Sequence, residues 1–136
     1  MKLKKGAQLL AEYISDLEEK TNVRLNELKE NKILRRYIER TLHLVVEACL
    51  DIGNHLIADL ELCEPQDYKD IMVVLTEAGY LPHNRLDNFK KMAQFRNVIV
   101  HDYIRIDPEI LIGILRKNID DLRLFARIVR DRFLQK

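Results

Sequence analysis

The stretch Leu42-His43-Leu44-Val45-Val46-Glu47-Ala48-Cys49-Leu50-Asp51-Ile52-Gly53-Asn54-His55-Leu56-Ile57 decides the fold. Only His43, Glu47, Asp51, Asn54 and His55 interrupt its apolar or small residues. Its apolar set goes most of the way round a 3.6-residue helix, so cover is needed on more than one side. A partner subunit is expected to supply some of that cover. Four Gly and three Pro in 136 residues, with 47% apolar and 33% charged side chains, extend the helical reading to the whole chain. The expectation is an all-α antiparallel bundle of four to five helices in one domain, residues 1–136.

Working outward, Leu9, Leu10, Tyr13, Ile14 and Leu17 form the stripe of a first helix. Thr21 is expected to cap a short piece ending near Leu28, and Asn31 to cap a long helix from about Ile33 to Cys63. Pro65 suits the first turn of the next helix, whose stripe is Tyr68, Ile71, Met72 and Leu75. Gly79 is its left-handed terminator and Pro82 prevents its continuation. Leu86, Phe89, Met92 and Ala93 predict a helix ending near His101. Asp107-Pro108 then caps a last helix carrying Leu111, Leu115, Leu122, Phe125, Val129 and Phe133.

Net charge is +1, which argues against disorder and gives no global attraction for nucleic acid. Residues 116–136 hold seven Lys or Arg against three Asp, whereas residues 59–78 hold six acids and one Lys. Solvated helix faces account for the acidic run. No apolar run approaches a membrane span, and no secretory signal is visible, so a cytoplasmic location is expected. Cys49 and Cys63, about 21 Å apart on one helix, cannot bridge and are expected to be buried thiols.

The chemistry concentrates in Arg96-Asn97-Val98-Ile99-Val100-His101-Asp102-Tyr103. His101 can move protons near neutral pH, and Arg96 can clamp a phosphate. Together they are a minimal kit for metal-free phosphoryl chemistry on RNA. On a regular helix Asn97 and His101 lie about 40° apart, but Arg96 and His101 diverge by about 140°. Convergence needs a distorted helix, a long reach or a second subunit. The polar strip Glu47, Asp51 and His55 lacks the paired Glu-x-x-His pattern of a di-metal bundle. It is expected to orient Arg96 or Asn97, or to sit satisfied at an interface. His43 and His83 are expected at the surface or in caps.

Arg96, four residues, His101, one residue and Tyr103 match R-x4-H-x-Y, and the segment Glu47 to Ile57 resembles the family's central helix. On these residues the chain resembles the HepT-like toxins of the HEPN superfamily, from about Leu9 to Phe133. The resemblance implies a homodimer whose cleft takes Arg96 and His101 from both subunits as catalytic groups. It implies an endoribonuclease needing no metal and no cofactor. Asn97, Asp102 and Asp51 are the expected orienting residues. A minimal nucleotidyltransferase antitoxin is the implied partner, transferring AMP from ATP to Tyr103 and so blocking the cleft. The alternative is a non-catalytic HEPN subunit that binds or regulates such a partner; a purely structural adaptor is weaker still.

Overall fold

The computed structural model describes residues 2–100 and 106–134, and these are all-helical, with no strand among them. In order they form α1 (Lys2–Glu18), α2 (Leu25–Glu30), α3 (Lys32–Asp59), α4 (Tyr68–Glu77), α5 (Leu86–Val100), α6 (Pro108–Gly113) and α7 (Ile119–Val129). A wider turn, Ile114–Asn118, joins α6 to α7 without a break, and another, Arg130–Leu134, continues the rod. The Ile119 N–H reaches back to the Ile114 carbonyl, the five-residue step of a π-bulge. Five main helices therefore make the bundle, with α2 as a short connector.

The 28-residue α3 is the axis, about 42 Å long. α1 runs antiparallel along it, bringing Gly6 to Ile52 at one end and Lys20 over the Tyr37 ring at the other. α4 crosses at Gly53, where an added Cβ would stand 2.5 Å from the Ile71 side chain. Only the missing side chain permits that approach. Phe89 of α5 and Phe125 of α7 are fully buried and meet edge to face at 6.1 Å. Asp121, buried on α7, accepts hydrogen bonds from Arg85 (2.5 Å) and Asn88 (3.4 Å), which satisfy its charge inside the bundle.

Local cap chemistry explains which helix ends the sequence predicts well. Asn31 accepts from the Leu34 N–H at 3.0 Å, and Asp107 from the Glu109 N–H at 2.9 Å. Gly79, at φ 88°, closes α4 as Tyr80 N–H bonds to the Leu75 carbonyl and Gly79 N–H to that of Thr76. This is a Schellman ending.

Other boundaries differ. α3 stops at Asp59, not Cys63, because Glu61 takes the left-handed conformation (φ 54°) and Leu62 N–H returns to the Ile57 carbonyl. Cys63 therefore lies beyond the helix and is exposed, while only Cys49 is buried. Thr21 caps no second helix; its hydroxyl donates to the Glu18 carbonyl at the end of α1. Pro65 precedes α4, whose cap is Asp67, accepting from the Asp70 N–H at 2.8 Å.

The chain itself covers most of the multi-sided apolar face of α3, but Leu44 and Ala48 stay half-buried along the open groove beside α1. Val45, Val46, Cys49, Leu50 and Ile52 are each at most 3% exposed, without a partner subunit. Among the described residues the large apolar side chains left exposed are Leu9, Ile33, Tyr37, Val98 and Ile110.

Candidate active site

Phe89, Ala93 and Arg96 follow one another at intervals of four and three residues on α5. Phe89 and Ala93 are wholly buried, so this register turns Arg96 inward as well, toward α3 and α4. Its Nε donates to Glu47 Oε1 at 2.9 Å, and its guanidinium carbon lies 4.5 Å from the centroid of the Tyr68 ring. One edge of the guanidinium is thus tied to a carboxylate and one face to an aromatic ring. Nη1 and Nη2 make no hydrogen bond to the described residues. That free fork matches two oxygens of a phosphate.

Glu47 is shared. His43, one turn earlier on α3, places Nε2 3.5 Å from the same carboxylate oxygen, and its Nδ1 lies 3.3 Å from Arg40 Nη1. A line of side chains, Arg40, His43, Glu47, Arg96 and Tyr68, therefore links α3, α5 and α4. Asp51 and His55 continue the four-residue repeat but do not join Arg96. His55 pairs with Asp59 at 3.1 Å. Asp51 lines a groove between α1 and α3 with Gly6, Tyr13 and His55. Burial, and then the neighbouring Glu47 charge, raise its carboxyl above the usual aspartate range.

Asn97 is exposed one residue beyond Arg96, lining a shallow cavity with Asn54, Gln66 and Tyr68. His101, Asp102 and Tyr103 lie outside the described residues. The structure brings Arg96 to Glu47 and sets Asp51 in a neighbouring groove. The sequence reading passes over two contributors, taking Tyr68 for core and His43 for surface. No local signal marks Tyr68, whose role comes from a partner 28 positions away. His43 has one faint sign, its four-residue spacing from Glu47. Among the described residues no three His, Cys, Asp or Glu side chains group as metal ligands. No described helix is long and apolar enough to cross a membrane.

Arg96 in this setting can hold an anion in a fixed orientation and offset added negative charge, the part an arginine plays in phosphoryl transfer. Comparison with known proteins agrees with that chemistry. The chain is 28% identical over 105 residues to the mRNA nuclease HepT of Shewanella oneidensis, covering 77% of this chain and 79% of that protein. It is 24% identical over 101 residues to the tRNA nuclease HepT of Aphanizomenon flos-aquae, covering 74% and 69% respectively. The fold matches the tri-AMPylated Shewanella oneidensis HEPN toxin, solved with its MNT antitoxin, at a TM-score of 0.84. That match covers 95% of this chain and 96% of that one, at 23% identity. The family model for the ribonuclease HepT-like proteins matches residues 10–129, and the chain belongs to that family of ribonucleases.

Proposed function

We propose that this chain is the toxic ribonuclease of a toxin–antitoxin pair, working as a homodimer of single-domain subunits in the cytoplasm. The observation that carries the reading is Arg96, held by Glu47 and Tyr68, with Nη1 and Nη2 unbonded among the described residues. In the proposed reaction His101 takes the proton of a ribose 2′-hydroxyl, and that oxygen attacks the adjacent phosphorus. The P–O5′ bond breaks, and the departing 5′-oxygen takes back a proton from His101. A 2′,3′-cyclic phosphate and a 5′-hydroxyl end result. Arg96 offsets the charge that builds on the phosphoryl oxygens. The step needs no metal.

A two-fold axis supports the pairing of these groups, because on one regular helix Arg96 and His101 point about 140° apart. Asp102, beside His101 in the motif, orients the pair. AMP transferred to Tyr103 by a nucleotidyltransferase antitoxin places a phosphodiester charge where the RNA phosphate must enter. The AMPylated state of the Shewanella toxin in its antitoxin complex supports that regulation.

The test is RNA cleavage by purified protein in EDTA. His101→Ala is expected to lose roughly 10²–10⁴ in rate. Arg96→Lys is expected to lose activity too, since a point charge cannot reproduce a two-point clamp. Full cleavage by both variants, or cleavage only with a divalent metal, overturns the assignment. With the neighbouring nucleotidyltransferase, ATP and Mg²⁺, wild type is expected to gain mass in AMP steps and Tyr103→Phe to gain none. Equal modification of the two removes Tyr103 from the regulation.

A further inference from the structure

Beside the Arg96 anchor, between the end of α5, the C-terminal part of α3 and the start of α4, lies an open cavity of about 490 Å³. Asn54, Gln66, Asp67, Tyr68 and Asn97 line it over buried Ile71. The side-chain amides of Asn54, Gln66 and Asn97 have no hydrogen-bond partner among the described residues, so three donor–acceptor groups face one space unspent. Tyr68 belongs to both features: its ring carries the Arg96 guanidinium, and its side chain walls the cavity.

Charge decides what fits. One wall of the cavity comes from the acidic run, residues 59–78, and Asp67 lines it, so a phosphate is repelled there. Asp67 Oδ1 already accepts from the Asp70 N–H, which leaves Oδ2 to accept from a ligand. Carboxamides beside a carboxylate and an aromatic ring are the groups that read the edge of an unpaired base. The carboxylate favours an edge that presents an amino group.

We propose that this cavity is a nucleobase subsite, seating the base next to the phosphate held by Arg96 and preferring adenine, cytosine or guanine over uracil. The inference rests on the ribonuclease reading above and adds a specificity determinant to it. Binding the phosphate at Arg96 and the neighbouring base across Tyr68 would fix the register of the strand.

Two measurements test it. In the first, wild type and the double variant Asn54→Ala, Gln66→Ala cleave a pool of short single-stranded RNAs with randomised sequence, and the new ends are sequenced. Wild type is expected to disfavour uracil at one fixed position from the cut, and the variant to lose about tenfold of that discrimination. Both changed residues are exposed, so folding is not at stake. No bias against uracil in wild type, or the same bias in the variant, overturns the subsite while the ribonuclease stands.

In the second, ¹⁵N-labelled protein is titrated with the four nucleoside 3′-monophosphates. The side-chain amide signals of Asn54 and Gln66 are expected to move with the three amino-bearing nucleotides and far less with the uridine nucleotide. Such movement in a protein that cuts no RNA supports the subsite and overturns the ribonuclease reading. No movement with any nucleotide overturns the subsite.

Discussion

At Glu47 a single carboxylate has two claimants, Arg96 at 2.9 Å and His43 at 3.5 Å. Because it holds only the Nε edge of Arg96, Glu47 is a positioning residue: it fixes the direction of the free fork without reaching a ligand itself. Removing it leaves the charge of Arg96 in place but lets the guanidinium swing off the Tyr68 ring. Glu47→Ala is therefore expected to lower kcat about tenfold with little change in KM, and Glu47→Asp to recover part of the loss. A pure KM effect, or no kinetic effect, contradicts that role. Asp51 gives a pH prediction instead. Its carboxyl titrates above the ordinary range in the folded chain, so the folded state binds its proton more tightly than the unfolded state does. Stability from this group is present below the ordinary aspartate range and is lost as pH rises through the raised folded value. Asp51→Asn should be slightly more stable to urea than wild type at neutral pH, and the difference should vanish in acid. Arg96 is legible in the sequence as a candidate, because its motif is local. Glu47 is readable only as a member of a polar strip, and Tyr68 not at all as a site residue, since α4 meets α5 only in the folded chain.

Helix ends show the same division one scale up. Asn31, Asp107 and Gly79 act on groups within a few positions of themselves, so their caps are written locally. The end of α3 is not, because Glu61 performs at φ 54° what glycine does without strain. Overestimating that helix by four residues is what places Cys63 in the core on paper and at the surface in fact. Glu61→Gly is accordingly expected to stabilise the fold by about 1 kcal/mol, and Gly79→Ala to destabilise it by roughly as much, measured by urea unfolding. Gly53→Ala is a different test. Its Cβ would meet the Ile71 side chain at 2.5 Å, so α3 and α4 must separate, at a cost of about 1–3 kcal/mol. Since α4 carries Tyr68, the same variant should also lose ribonuclease activity beyond what its stability explains. Unchanged stability would mean that α4 does not depend on the close approach at Gly53.

For the whole molecule, the bundle covers most of its own central helix, and the proposed second subunit is asked chiefly to complete the cleft. Arg96 is anchored on one side by α3 and α4, and His101 follows five positions later in the sequence. The chain's helical class and five main helices are legible from periodicity, because burial of one stripe per helix dictates both. The assembly is not, since most of the apolar pattern that suggests a partner is satisfied within the chain and only Leu44 and Ala48 stay half-buried. The central claim is that Arg96 and His101 of opposite subunits act in one RNA-cleaving cleft. The most direct measurement combines two inactive proteins. Arg96→Ala and His101→Ala dimers are assayed for RNA cleavage alone, then after unfolding together at equal concentration and refolding. Each alone is expected to be silent. The mixture should regain about a quarter of wild-type activity, because about half its dimers are mixed and each of those keeps one intact pair across the axis. A mixture as silent as its components, or either variant fully active alone, would contradict the account.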